Sequence, residues 1–354
     1  MRRLPVYFLI DVSESMVGEP IELVQEGIST IVKDLRTDPY ALETVYVSVI
    51  AFAGKALKVT PMIELYSFYP PRLPIGGGTS LGNALTFLMN DMENTVQKTT
   101  LEQKGDWKPI IFLFTDGNPT DNFDPTFDRW NQKFRTRSNL VAISLSQNTD
   151  NQLLGRITEN VLQLKNTDAE SFRKFFKWVT ASIKSSSTSI ADTKQDGLFL
   201  APVTNGYLAK IDLTKMDLTK TPQQKSDDQV AVLLAKCQKT KRHYLIKYER
   251  RISPSEFKEL NYNTLDFKLA GAYPIDQSYF DLTDNDQDQK IISTSELTGF
   301  PMCPCCGNQY GFSYCSCGKI ICSGDEEVVR CPWCNNEARF QTGDGSINVT
   351  KTRG

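Results

Sequence analysis

The sequence has 354 residues, of which 40% are hydrophobic, and a formal net charge of −2. Because a domain usually contains about 100 to 200 residues, this length predicts at least two domains of ordinary globular composition. The near-neutral charge argues against a protein whose whole surface binds nucleic acid.

The first predicted element is a buried β-strand that ends in oxygen-bearing side chains. Residues 6–10 have the sequence Val-Tyr-Phe-Leu-Ile, an apolar run typical of a strand that is covered on both faces. Asp11, Ser13 and Ser15 follow at alternate positions. If the chain curls back after the strand, these three side chains can face one small space, and their oxygen atoms suit a hard divalent cation.

Helices and strands alternate from this strand to the end of a first predicted domain. Apolar residues at three- to four-residue spacing predict a helix between Pro20 and Leu35, and a strongly apolar stripe predicts a final helix that ends near Lys184. The alternation indicates a doubly wound α/β domain at residues 1–184 with a mainly parallel sheet. The six predicted strands are residues 6–10, 44–52, 56–65, 110–115, 140–145 and 161–164, of which 56–65 is expected to be an antiparallel edge strand.

Two later segments extend the pattern of oxygen donors. Thr79 follows a run of three glycines and precedes a predicted helix, and Asp116 follows the strand at 110–115. Oxygen donors at the carboxyl ends of neighbouring strands meet in the crevice at the top of an open α/β sheet. We therefore expect a single cation site. The alternative is a set of strand-end turns and helix caps whose side chains do not converge.

The order D-x-S-x-S, threonine and T-D-G resembles the metal-ion-dependent adhesion site (MIDAS) of von Willebrand factor A (vWA) domains. This resemblance implies a Rossmann-like fold and a bound Mg²⁺, with Mn²⁺ or Ca²⁺ as alternatives. It also implies that one coordination position stays open for a carboxylate of a partner protein. The implied ligands are Asp11, Ser13, Ser15, Thr79 and Asp116.

The composition changes after the first domain. Residues 185–196 are rich in small polar side chains and are predicted to form a linker. Residues 197–300 contain short extended runs without a long helical stripe, which indicates a mainly β domain. We interpret Cys237 and His243 in this segment as structural residues, because both are far in sequence from the other candidate metal ligands.

Eight of the nine cysteines lie between Cys303 and Cys334. We predict a zinc-ribbon-like module at residues 301–340 and a flexible tail at 341–354. Two C-x-x-C turns can each place two thiolates on one side and together complete a tetrahedral, structural zinc site. The ligands of first choice are Cys303, Cys306, Cys331 and Cys334. The spacing leaves Cys305 unassigned and permits one or two zinc ions, with further ligands from Cys315, Cys317 and Cys322.

The order of these units resembles TerY-type tellurite-resistance proteins, which carry a metal-binding domain at the C-terminal end. The matching segments are Lys247-Tyr248, residues 271–275 (Gly-Ala-Tyr-Pro-Ile) and the stretch from Cys315 to Cys334. The resemblance implies an adaptor that works beside a protein kinase and a phosphatase in a bacterial stress or defence system.

These patterns favour a non-enzymatic adaptor whose MIDAS cation captures an acidic residue of a partner protein. One alternative is phosphoryl transfer or hydrolysis at Asp11, but Ser13 replaces the second carboxylate that such chemistry needs, and residues 1–184 contain no histidine. Another alternative is a RING-like or nucleic-acid-binding cysteine module. The RING order of ligands is only partly matched, and the charge balance disfavours DNA.

The sequence also favours a cytoplasmic location. No run approaches the roughly 18 consecutive apolar residues of a membrane-spanning helix, so we expect no membrane partner. The short apolar segment after Met1 is not followed by a small-residue cleavage site. Clustered C-x-x-C cysteines without an export signal are typical of zinc ligands in a reducing compartment.

Overall fold

Two β-sheets organise the chain, one of seven strands in its N-terminal part and one of six strands in its C-terminal part. None of the described helices combines the length and the apolarity needed to cross a bilayer. The structure is a computed structural model that describes residues 2–146, 149–166, 168–193, 199–203, 206–217, 229–254, 263–284, 290–324, 326, 328–339 and 346–352.

The N-terminal sheet is mainly parallel. Its strands are β1 (Leu4–Asp11), β2 (Val45–Phe52), β3 (Ala56–Glu64), β4 (Ile110–Thr115), β5 (Asn139–Ser144), β6 (Asn160–Leu164) and β7 (Leu208–Lys210). They lie in the order β3-β2-β1-β4-β5-β6-β7, and only the two outer strands, β3 and β7, are antiparallel to their neighbours. The predicted mainly parallel α/β sheet is confirmed, and β7 adds a strand from beyond the predicted domain boundary.

Helices cover both faces of this sheet. On one face lie α1 (Glu19–Leu35), α2 (Pro39–Thr44) and α6 (Ala169–Thr193), and on the other lie α3 (Leu81–Thr95), α4 (Asp124–Arg129) and α5 (Asn151–Gly155). The side chains of β1 alternate accordingly: Val6, Phe8 and Ile10 belong to the first core, and Tyr7 and Leu9 to the second. The strand is therefore buried on both faces, as its apolar run predicts.

The linker predicted at residues 185–196 is wrong, because α6 continues to Thr193. Ser187 is buried and its hydroxyl lies 2.8 Å from the Thr44 hydroxyl of α2, and the Ser186 hydroxyl accepts from the backbone N–H of Phe199 at 3.3 Å. Serine and threonine can be buried when their hydroxyls find hydrogen-bond partners inside the protein. Composition alone does not distinguish such residues from those of a solvated linker. Residues 194–198 lie outside the described residues.

The C-terminal part is mainly β, as predicted. Its strands are β8 (Val230–Lys236), β9 (His243–Pro254), β10 (Asn263–Pro274), β11 (Lys290–Ser293), β12 (Leu297–Thr298), β13 (Phe312–Tyr314), β14 (Ile320–Cys322), β15 (Val328–Arg330), β16 (Glu337–Arg339) and β17 (Asn348–Lys351). The six-stranded sheet has the order β12-β10-β9-β8-β14-β13, and two further pairs join β11 to β17 and β15 to β16. One helix, α7 (Gln277–Leu282), lies between β10 and β11. Short 3₁₀ turns occur at Glu14–Met16, Leu65–Ser67, Leu213–Lys215 and Thr294–Glu296, and a π-helical segment at Trp130–Phe134.

The predicted division between residues 300 and 301 is wrong, because the β segment and the cysteine module share one sheet. β14 pairs in parallel with β8, with Ile320 opposite Ala235. The prediction of a flexible tail at 341–354 is also wrong for β17, which pairs with β11 and buries Val349. Residues 341–345 and 353–354 lie outside the described residues. We therefore treat the described residues from 229 to 352 as one C-terminal domain.

Candidate metal sites

The carboxyl ends of β1 and β4 bring the predicted MIDAS residues together. These strands are parallel neighbours, so Asp11 at the end of β1 and Asp116 just after β4 lie at the same edge of the sheet. The Ser15 hydroxyl donates to Asp116 Oδ1 at 2.9 Å and lies 3.0 Å from the Ser13 hydroxyl. The side chains of Ser13, Ser15 and Asp116 are thus linked to one another, and Asp11 lies in the same short turn as the two serines.

Asp11 is completely buried and held by two hydrogen bonds. Its Oδ2 accepts from the Thr115 hydroxyl at 2.7 Å, and its Oδ1 accepts from the Ser13 N–H at 3.0 Å. Burial raises the pKa of Asp11 to about 6, although the hydrogen bonds from Thr115 and Ser13 oppose this rise. Thr115, at the end of β4, is a positioning residue that the sequence pattern did not single out, although it is the threonine of the T-D-G motif.

Thr79 is the fifth predicted ligand, and the structure places it opposite the loop that follows Asp116. Its backbone N–H donates to the Thr120 hydroxyl at 3.0 Å, and its carbonyl accepts from the Thr120 N–H at 2.8 Å. A Cβ atom on Gly117 would lie 3.5 Å from Thr79 Oγ1. Gly78, just before it, has a φ of +86°, which favours glycine at the turn into α3.

The donor set fits a hard divalent cation. The side chains supply two carboxylates and three hydroxyls, and oxygen is the ligand that Mg²⁺ and Ca²⁺ prefer in proteins. Asp116 is only partly buried, so an additional ligand can reach the site from outside. The geometry therefore supports the predicted cation site over unrelated strand-end turns. The set of residues that would hold the ion is Asp11, Ser13, Ser15, Thr79 and Asp116.

Eight cysteines form two separate groups of four in the C-terminal domain. Within each group all four sulfur atoms lie within 4.8 Å of one another. The first group comprises Cys237, Cys303, Cys306 and Cys322, and the second comprises Cys315, Cys317, Cys331 and Cys334. Sulfur pairs in both groups are 3.9 Å apart, close to the spacing of about 3.8 Å that two Zn–S bonds of about 2.3 Å give in a tetrahedral site.

The predicted first-choice zinc site is wrong, because the structure divides its four ligands between the two groups. Its first C-x-x-C turn, with Cys303 and Cys306, belongs to the first group, and its second, with Cys331 and Cys334, belongs to the second group. The pairing of β14 with β8 is the physical cause, since it brings Cys322 next to the turn that follows β8.

Cys237, interpreted from the sequence as structural, completes the first group. The Gln238 N–H donates to Cys322 Sγ at 3.3 Å across the paired strands. No spacing signal in the sequence marks Cys237, because its partners are far along the chain. Among the described residues, His243 and Cys305 belong to neither group.

In each group the surroundings lower the pKa of one thiol. Burial acts to raise the pKa of Cys237, but hydrogen bonds from Thr240, Cys306 and the Lys239 backbone together lower the pKa to about 7. Burial likewise acts against the ionisation of Cys315, and hydrogen bonds from the neighbouring Cys317 backbone and thiols lower its pKa to about 7. A thiolate is the form that binds zinc, and burial raises the pKa of the other thiols Cys303, Cys317, Cys322 and Cys331, so metal binding has to displace their protons.

Comparison with known families agrees with this geometry. A model of the von Willebrand factor type A domain matches residues 6–178, and a model of the TerY-C metal binding domain matches residues 227–354. The fold and the site therefore define a vWA protein with a separate metal-binding domain. The chain belongs to the TerY-type vWA proteins with a C-terminal metal-binding domain, so the resemblance seen in the sequence is confirmed.

Several solved structures are similar to the vWA part. A von Willebrand factor type A protein from Catenulispora acidiphila is 17% identical over 52% of this chain and 43% of its own length, with a TM-score of 0.40. Proximal thread matrix protein 1 from the mussel byssus, with a zinc-occupied MIDAS motif, is 17% identical over 52% and 46%, with a TM-score of 0.38. The PilB minor pilin from Streptococcus sanguinis is 14% identical over 52% and 61%, with a TM-score of 0.40. The chain thus spans less than two thirds of each of these proteins.

Proposed function

We propose that this protein is an adaptor that binds a partner protein through a divalent cation at the MIDAS. The preferred ion is Mg²⁺, with Mn²⁺ or Ca²⁺ as alternatives. The observation that carries the proposal is the convergence of oxygen donors at one edge of the sheet: Ser15 is bonded to Asp116, and Thr79 Oγ1 lies beside Gly117. When bound, the cation supplies a coordination position for a carboxylate oxygen of a partner's Asp or Glu.

The charge and number of the donors support capture of an acidic side chain. Asp11 and Asp116 together balance the charge of a divalent cation, and the three hydroxyl ligands add none. Mg²⁺ takes about six oxygen ligands, and these residues offer five, so one position remains for a ligand from outside. A partner's carboxylate can take that position without facing an excess of negative charge.

The surroundings of Asp11 support a binding role rather than catalysis. The nearest acidic neighbour in the sequence, Glu14, accepts hydrogen bonds from Tyr279 of the C-terminal domain and from the Gly78 N–H. The only histidine, His243, packs between the rings of Phe280 and Trp333. We therefore propose that the protein binds a partner at this site and has no catalytic residue.

We propose that the two cysteine groups bind one zinc ion each and that these ions stabilise the C-terminal domain. Four thiolates close a tetrahedral site and leave no position for a water, which is the arrangement of structural zinc. All nine cysteines are free in the structure, which supports a reducing, cytoplasmic location. TerY-type membership supports partners in a bacterial tellurite-resistance, stress or defence-associated phosphorylation system, namely a kinase and a phosphatase.

The first experiment measures the cation directly. Mn²⁺ binding to the purified full chain is followed by electron paramagnetic resonance, and we expect one Mn²⁺ per chain outside the cysteine groups. Asp116→Ala should weaken this binding by more than about 100-fold, since changes in groups that merely support a ligand already cost 10- to 100-fold. Asp128→Ala, which removes an exposed carboxylate from α4, is the matched control and should bind Mn²⁺ as the wild type does.

The second experiment tests the partner. The tagged full chain is used to capture proteins from lysate with added Mg²⁺, and the same variants are compared. We expect Asp116→Ala to lose the captured partner while its zinc content stays unchanged. Capture that persists in Asp116→Ala would refute the adaptor mechanism, and phosphatase activity that disappears in Asp11→Asn would favour the enzymatic alternative instead.

A further inference from the structure

The C-terminal domain lies directly against the MIDAS loop that follows β1. The hydroxyl of Tyr279, in α7, donates to Glu14 Oε1 at 2.5 Å, and the two side chains are only 3% and 1% exposed. Glu14 lies between the candidate ligands Ser13 and Ser15. Burial, and then the negative charge of Glu14, raise the pKa of Tyr279, so its hydroxyl stays protonated and remains a donor.

The same helix end also contacts the glycine loop that carries Thr79. Thr283 Oγ1 accepts from the Gly77 N–H at 3.0 Å, and the Leu282 carbonyl accepts from the Lys55 N–H at 2.9 Å. A Cβ atom on Gly77 would lie 2.8 Å from Thr283 Cγ2, and one on Gly76 would lie 2.6 Å from Leu282 Cβ. Neither glycine has a left-handed φ, so close packing rather than backbone conformation requires glycine there. At Gly77 the C-terminal domain makes the closest approach, and at Gly76 Ala53 of the vWA domain contributes as well, 2.7 Å from the Cβ position.

A third contact fixes the chain just after the MIDAS loop. Lys247 of β9 is buried, and its Nζ donates to the Val17 carbonyl at 3.2 Å. Val17 packs in one apolar cluster with Leu245 and Tyr279. Both MIDAS loops, the one after β1 and the glycine loop, are therefore held by hydrogen bonds and packing from the other domain.

Aromatic side chains support α7 from the side of the second cysteine group. The ring of Phe280, next to Tyr279, is 4.8 Å from the ring of His243, which is 5.0 Å from the ring of Trp333. Trp333 lies between Cys331 and Cys334. A series of ring contacts therefore connects α7 with the segment that carries the second cysteine group.

We infer that the C-terminal domain sets the cation affinity of the MIDAS, with Tyr279 and Thr283 as the positioning residues. Tyr279 holds Glu14 and thereby the backbone that carries Ser13 and Ser15. Hydroxyl ligands are neutral and contribute to cation binding only where the backbone places them, so loops that are fixed beforehand bind more tightly. This inference rests on the cation site of the proposed function.

Thr283 acts on the remaining hydroxyl ligand in the same way. It holds Gly77, which lies two residues before Thr79 in the glycine loop. This arrangement allows regulation. A molecule that moves α7 away from Glu14 and Gly77, or a loss of zinc that has the same effect, lowers the affinity of the MIDAS for its cation. The affinity for an acidic partner protein then falls as well.

The test compares Mn²⁺ dissociation constants of full-length variants. Tyr279→Phe keeps the ring and removes only the hydroxyl, and we expect Mn²⁺ to bind about tenfold more weakly, because hydrogen bonds to a carboxylate are among the stronger ones in proteins. Thr283→Val, which is nearly isosteric, should weaken binding in the same direction. Tyr248→Phe is the matched control, since its hydroxyl donates to Gly299 within the C-terminal domain, at 3.4 Å, and it should change the constant by less than about twofold.

A double-mutant cycle separates positioning from general destabilisation. In a Glu14→Gln background, Tyr279→Phe should weaken Mn²⁺ binding by less than about threefold, because the hydroxyl then donates to a neutral amide. Zinc content and circular dichroism confirm that each variant is folded.

The outcomes distinguish this inference from the proposed function. If the wild type does not bind Mn²⁺, or if its binding does not depend on Asp116, both proposals are overturned. Binding that depends on Asp116 but is unchanged in Tyr279→Phe and Thr283→Val would overturn only the inference. An equal loss in Tyr248→Phe would overturn it too, since the effect would then come from lower stability.

Discussion

Replacement of Cys237 by serine tests how the zinc ligands are assigned. The structure places this residue in the first cysteine group, whereas the sequence pattern leaves it outside every zinc site. We expect the wild type to bind two zinc ions per chain and Cys237→Ser to bind one. Serine does not ionise at neutral pH, so it cannot replace the thiolate.

The structural consequence of losing this zinc should be large. The first group joins three segments, namely the turn after β8, the C-x-x-C turn at 303–306 and the end of β14. Structural zinc contributes roughly 10–16 kcal/mol of apparent binding free energy at pH 7, whereas a whole domain is stable by about 5–15 kcal/mol. Even a loss of about 3 kcal/mol lowers the unfolding temperature of a domain of this size by about 10 °C.

The assay is elemental analysis of zinc in gel-filtered protein, combined with thermal unfolding. Cys305→Ser is the matched control, because Cys305 stands beside Cys306 but belongs to neither cysteine group. We expect this control to retain two zinc ions. A Cys237→Ser variant that still binds two zinc ions, or a Cys305→Ser variant that loses one, would refute the assignment.

Three further predictions concern the stability of the vWA domain and are measured by urea unfolding. Gly27→Ala should lower the free energy of unfolding by about 1–3 kcal/mol, because its Cβ would lie 2.1 Å from the Phe176 ring. Phe176→Leu in the same chain should relieve part of this loss. If it gives no relief, the cause is not steric. Trp130→Phe should cost about 2–3 kcal/mol, since the buried indole N–H donates to the Ile157 carbonyl at 3.0 Å; an unchanged midpoint would contradict this. Lys58→Met should cost about 1–2 kcal/mol, because it leaves the buried Asp91 carboxylate without its ion pair, and Asp91→Asn in the same chain should restore part of the loss.

The fold of the vWA domain follows closely from the sequence pattern. The apolar run of β1 is buried on both faces, and the strands after it alternate with helices as predicted. The predicted linker after Lys184 was wrong, because α6 continues to Thr193 and Ser186 and Ser187 satisfy their hydroxyls inside the protein. Local composition cannot show where a hydroxyl finds its partner, since the partner comes from another part of the chain.

The cysteine sites were less predictable than the MIDAS. The C-x-x-C turns mark their cysteines as ligands, and of the four remaining cysteines between Cys303 and Cys334, all except Cys305 join a group. The grouping of the cysteines around each ion depends on the pairing of β14 with β8, and these two strands are far apart in the sequence.

The pattern of apolar strands and helices was enough to predict the class of the fold and to bring Asp11 and Asp116 to one place, because both lie at the carboxyl ends of parallel neighbouring strands, which meet at one edge of the sheet. Only the tertiary structure decided the division of the cysteines into two groups and the contact of Tyr279 with Glu14. Both depend on segments that strand pairing and packing bring together over long distances, and no local pattern of residues specifies such a meeting.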